Sequence, residues 1–114
     1  MHDAVQAYPE GGIPADKIIL GMPAYGRSFQ ATSGLGEPYS GVGLANLGPG
    51  NWEDGIWEYK VLPKQSGETF YDDVAQASYS YDATTRELIS YNSPQAVQAK
   101  VAYVKHKELG DTMF

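Results

Sequence analysis

A chain of 114 residues with 42% hydrophobic content has room for one compact domain with a real core, and wholesale disorder is excluded. Fourteen acidic residues against eight basic ones leave a net charge of −6. Nucleic acid is therefore not an expected partner, because phosphate binding needs a basic face.

There is no cysteine, which removes disulfides, thiol nucleophiles and zinc–thiolate sites together. No apolar run approaches the roughly 20 residues of a spanning helix, and no basic amphipathic stretch suits an anionic bilayer, so no membrane partner is expected. The opening MHDAVQAYPEGG lacks an apolar h-region, and no signal peptide is expected in it. The unusual counts are 9 Tyr, 2 Trp, 3 Phe and 13 Gly. Aromatics with a polar edge suit a wet surface that stacks on apolar faces such as sugar rings. They equally suit the half-buried faces of a small antiparallel sheet.

Asp3 to Tyr8 reads as the end of a helix, with Pro9 awkward in it and Gly11-Gly12 as its stop. The run Ile18-Ile19-Leu20 in KIILGMP lacks alternation, as in a strand buried on both faces of a parallel sheet. Helix, loop and strand make one αβ step, with no neighbouring strand expected in this chain to pair with it. GMPAYGRSF then places Met22, Tyr25 and Arg27 directly after the apolar run. Arg27 taken alone reads as a surface ion-pair residue.

From Ser28 to Asn51 a long Gly-rich segment has few periodic apolar residues, a length that is often functional. GIWEYKVLP predicts a short helical turn stopped by Pro63. ETFYDD predicts a strand. VAQASYSYD alternates, with Ala75, Ala77, Tyr79 and Tyr81 on one face and Gln76, Ser78, Ser80 and Asp82 on the other. ATTR turns the chain into ELISY, closing a hairpin. Asp72 and Asp73 would point to opposite faces of a strand, so a turn or solvated edge suits them better than a carboxylate pair.

Ser93 as N-cap, Pro94 at the first helical position and Gly110 at the end frame a helix lined by Val97, Val101 and Val104. DTMF begins another strand. The fold class is thus α+β: a small antiparallel sheet with one packed helix, flanked by pieces of an αβ repeat. It reads as an insertion carried between two steps of an αβ repeat.

KIILGMPAYGRSF, NWEDGIWEYKVLP, SYSYD with its hairpin, and SPQAVQAKVAYVKHKELG resemble the C-terminal part of family 18 glycoside hydrolases, most closely fungal-type chitinases. The resemblance implies three parts. Residues 1–27 are the end of a barrel helix and the seventh barrel strand with its loop. Residues 28–92 are the chitinase insertion domain. Residues 93–114 are the seventh helix and the start of the eighth strand.

It further implies a parent that hydrolyses β-1,4-linked N-acetylglucosamine polymers by a retaining, substrate-assisted mechanism, in which an enzyme Glu protonates the leaving oxygen. Met22, Tyr25 and Arg27 would lie at the C-terminal mouth of the barrel, where such barrels place their sites. Tyr25-Gly26-Arg27 is similar to the family's substrate-contacting Tyr-x-Arg. Glu53 resembles an acidic insertion residue that bonds sugar, and Met113 a cleft-lining residue of the eighth strand. The implied partner is chitin or chito-oligosaccharide, and the implied location is extracellular.

The Asp-x-x-Asp-x-Asp-x-Glu signature of the family has no counterpart here, so no catalytic residue is assigned and the 114-residue chain alone is expected to be inactive. No cofactor or metal is expected: His2 and His106 are far apart, and no GxGxxG or P-loop pattern occurs. Asn92 replaces an Asp common in the family, and Asp111 replaces a Gly. Two further readings stay open: a stand-alone carbohydrate-binding module using Tyr25, Arg27, Trp52, Glu53 and Trp57, or a scaffold without a ligand. An unpaired seventh strand would also invite self-association.

Overall fold

The computed structural model describes residues 1–43, 52–64 and 67–114, and part of the Gly-rich segment expected at 28–51, residues 44–51, lies outside them. The chain forms two compact units, residues 1–22 with 97–114, and residues 23–96. The sequence boundaries were expected at 27/28 and 92/93.

In the first unit, α1 (His2–Glu10) runs through Pro9 and stops at Gly11, whose N–H bonds the Ala7 and Tyr8 carbonyls. Pro9 gives up the N–H bond to the preceding turn, and only Glu10 follows it in the helix. Val5 packs with Val104 and Leu109, and Ala15, Ile18, Leu20 and Tyr103 close around them. β1 (Ile19–Gly21) pairs in parallel with β7 (Asp111–Met113), with Ile19, Leu20 and Gly21 opposite Asp111, Thr112 and Met113.

This corrects two expectations. The strand does have a partner within the chain, so one of its edges is already taken. Nor is it buried on both faces: Ile18 and Leu20 turn to the cluster while Ile19 remains 48% exposed. Close backbone packing occurs at Gly110, one residue before Asp111. A Cβ on Gly110 would collide with the Asp16 carbonyl, and the Gly110 N–H donates to Ile18 O at 2.9 Å.

The second unit is a five-stranded antiparallel sheet in the order β3-β2-β6-β5-β4. β2 is Tyr25–Phe29, β3 Ile56–Glu58, β4 Glu68–Asp72, β5 Ala77–Asp82 and β6 Glu87–Ser90. The hairpin of β5 and β6 forms as expected, but the sheet is wider than the sequence suggested. YGRSF is not a loop: alternation places Gly26 and Ser28 inside and Tyr25 and Arg27 outside, which suits a strand. IWE is also a strand, and only Tyr59–Val61 form the expected helical turn.

β5 starts at Ala77. The residues before it turn, with Asp72 Oδ1 accepting the Val74 and Ala75 N–H groups and Gln76 at a φ of 53°. α2 (Pro94–His106) opens as predicted, the Ser93 hydroxyl accepting the Ala96 N–H at 3.3 Å.

Candidate substrate-binding site

Register assigns the faces of the sheet. Arg27 stands opposite Ile56 on β3 and Ser90 on β6, and Ser90 opposite Tyr79, which faces Phe70. Tyr25, Arg27 and Phe29 therefore share one face with Glu58, Ser90, Tyr79 and Phe70. Gly26, Ser28, Trp57 and Ile89 line the other.

Segment 30–41 folds back over one end of the first face. Ser40 N–H bonds Gln30 O at 2.8 Å, Phe29 meets Tyr39 edge-on at 4.9 Å, and the Tyr81 hydroxyl donates to Thr32 O at 2.8 Å. That covers Phe29 and Leu88 and leaves the Tyr25–Arg27 end open. Tyr25 is 39% exposed, and the Arg27 guanidinium carbon lies 5.8 Å from its ring centroid. No hydrogen bond or ion pair engages Arg27 among the described residues. The ion-pair reading of this arginine therefore finds no partner there.

Glu53 is placed by a tight turn. Its carbonyl accepts the Ile56 N–H at 3.0 Å and the two residues form an isolated bridge, which brings Glu53 next to the register partner of Arg27. Gly55 makes the turn at a φ of 73°, against Val42. Glu58, opposite Tyr25 and paired with Lys60 at 2.9 Å, joins the same face. The sequence reading missed it because it treated IWEY as helical, and alternation within IWE was the available signal.

Met22 and Met113 are brought together in the first unit, where Met22 N–H donates to Met113 O at 2.6 Å. Met22 is buried and Met113 exposed. The set proposed for a stand-alone module is not assembled. Trp57 is opposite Gly26, on the reverse face, with the Lys64 ammonium 4.2 Å over its ring. Trp52 is 60% exposed. Among the described residues no group of three or more His, Cys, Asp or Glu side chains forms a metal site, and no helix is long and apolar enough to cross a membrane.

A sheet-centred α+β unit presenting, beside a Tyr, an Arg with no ion pair among the described residues sits within a recognised class of enzymes. Residues 1–114 match Glycosyl hydrolases family 18, and the chain belongs to that family.

Endochitinase 1 of Metarhizium robertsii is 57% identical over 112 residues, covering 98% of this chain and 25% of that protein. Chitinase 1 of Aphanocladium album is 55% identical over 112 residues, with the same coverage. The chain thus spans about a quarter of the length of these relatives.

Among solved structures, a class V chitinase variant from Nicotiana tobaccum in complex with NAG4 superposes with a TM-score of 0.80 at 28% identity, over 98% of this chain and 33% of that one. A family 18 chitinase from Cycas revoluta in complex with allosamidin gives 0.79 at 26% identity, over 96% and 31%.

Proposed function

We propose that this chain is part of a chitinase that hydrolyses β-1,4-linked N-acetylglucosamine polymers, and that it forms a wall of the substrate cleft without contributing the catalytic acid. The observation that carries this reading is Arg27: exposed, beside Tyr25, and without an ion pair among the described residues. An arginine that stabilised the fold would spend its donors within the chain.

A free guanidinium offers five donors in a fixed fork to sugar hydroxyls and carbonyls, and a tyrosine offers a flat face with a hydroxyl at its edge. Glu53, beside the register partner of Arg27, supplies a carboxylate, and Met22 and Met113 are proposed separately as substrate-binding residues of the first unit. Bonds that tighten as the sugar distorts toward the transition state act on rate as well as on binding. The Glu that protonates the leaving oxygen, and the aromatic floor of the cleft, would come from other parts of the parent. Extracellular action follows from the insolubility of chitin as a substrate.

The experiment is a titration of isotope-labelled protein with chitotetraose, followed by NMR. Shifts clustered at Tyr25, Arg27 and Glu53 are expected. Shifts confined to α2, or to the reverse face at Trp57, would overturn the assignment. The stand-alone module is the weaker reading, because Lys64 covers the Trp57 ring that it requires.

A further inference from the structure

Among the described residues, the Arg27 side chain is held on its own face by the Tyr25 ring and by no hydrogen bond or ion pair. Its aim therefore depends on the strand beneath it. The reverse face of β2 is anchored at the two residues that bracket Arg27. At Gly26 the backbone lies so close to Ile89, Leu62 and Tyr91 that a Cβ would come within 2.7–3.1 Å of their atoms. At Ser28, which is fully buried, Oγ donates to Glu87 Oε2 at 2.6 Å.

Glu87 is itself only 8% exposed, and its other oxygen accepts from Lys64 Nζ at 2.9 Å. Lys64 then lies over Trp57, the register partner of Gly26. One carboxylate thus ties together β2, the start of β6 and the segment that follows β3.

The Lys64–Glu87 pair, with its carboxylate buried and its ammonium partly exposed, contributes little net stability. What it does supply is fixed geometry. Both carboxylate oxygens are committed to donors on different elements, and the donor on β2 is the residue next to Arg27. The short charge-assisted bond at Ser28 adds a side-chain anchor beside Arg27 to the backbone ladders that β2 makes with β3 and β6.

We propose that Glu87 is a positioning residue for substrate binding: through Ser28 it fixes the roll of β2, and through Lys64 and Trp57 it holds β3 alongside, so that Arg27 is presented to the sugar in one orientation. The proposal rests on the reading of Arg27 as a sugar-contacting residue.

The test is a double-mutant cycle in the intact parent chitinase, with Ser28→Ala, Glu87→Gln and Arg27→Ala singly and Ser28 or Glu87 variants combined with Arg27→Ala. Ser28→Ala and Glu87→Gln should each lower kcat/KM by about two- to tenfold per folded molecule, the scale of one hydrogen bond. In the Arg27→Ala background both effects should vanish, since the group being positioned is gone. Effects that persist undiminished in that background mean a structural role only, and overturn the proposal while leaving Arg27 as a substrate contact. An Arg27→Ala enzyme with unchanged kinetics overturns the reading of Arg27 itself, which is a separate result. If Glu87→Gln does not fold, Ser28→Ala, which retains the Lys64–Glu87 pair, gives the same answer.

Discussion

A methyl group placed on Gly26 would sit 2.7 Å from Cγ2 of Ile89, across the β2–β6 pair. That atom branches from Cβ, and a second close neighbour is the Tyr91 Cβ at 3.1 Å. Neither can swing away as the end of a long side chain would. Gly26→Ala should therefore force the strands apart and destabilise the protein by about 1–3 kcal/mol, the usual cost of overpacking. Denaturant melts measure this. A variant as stable as wild type would mean that β2 sits less tightly than described.

Ser78 predicts a different kind of loss. Its hydroxyl donates to Tyr91 O at 2.6 Å and accepts the Ser93 N–H at 2.9 Å, all within a buried site at the entry to α2. Ser78→Ala leaves two buried backbone groups without this partner, at about 1–3 kcal/mol. Ser78→Thr keeps the hydroxyl and should recover part of that loss unless its extra methyl is excluded. An alanine variant that melts with wild type would show that water replaces the hydroxyl without cost.

The same serine shows where sequence reading succeeds and where it stops. Alternation in ASYSYD located the strand and its two faces, but it did not say which face is inside. Hydropathy favours the tyrosines, yet Ser78, Ser80 and Asp82 are the buried set, and Ser78 and Asp82 commit their polar atoms to hydrogen bonds rather than to water. The capped helix at Pro94 was legible because its signals are local.

YGRSF and IWE were not recognised as sheet strands because each is short and pairs across long sequence separations. Phe29 meets Leu88, and Gly26 meets Trp57. The β1–β7 pairing was missed for the same reason: the two strands lie at opposite ends of the sequence. Within the site, Tyr25 and Arg27 were legible from the motif. Glu58 and the Ser28–Glu87–Lys64 chain were not, since only register and packing join them.

Lys100 gives a prediction in pH. Burial on α2 holds its ammonium below the ordinary value of 10.5. A lysine whose folded pKa is lowered binds fewer protons in the folded state than in the unfolded state between those two values. Stability therefore rises with pH across that window and levels off near 10.5. Lys100→Met lacks this titration, so wild type should gain stability relative to the variant as pH rises toward 10.5. Denaturant midpoints of both proteins at each pH give the comparison, and tyrosine ionisation cancels in the difference. A difference that does not move in favour of wild type as pH rises would remove burial as the cause.

Arg27→Ala separates binding from folding in one variant. The side chain is exposed and makes no ion pair among the described residues, so its loss should change stability by only about 0.5 kcal/mol. In the intact parent enzyme it would remove a charged hydrogen bond to the sugar, which is worth roughly 1.5–3 kcal/mol. That corresponds to about a ten- to hundredfold drop in kcat/KM on chito-oligosaccharide. If the bond strengthens in the transition state, kcat falls with it; if the bond is equal in both states, KM alone rises. Arg27→Lys keeps the charge but loses the fork, and should fall between wild type and alanine. The decisive comparison is steady-state kinetics against denaturant melts on the same preparations. A large shift in the melt with wild-type kinetics per folded molecule would make Arg27 a residue of the fold, and the open end of this sheet face would then have no claim on substrate.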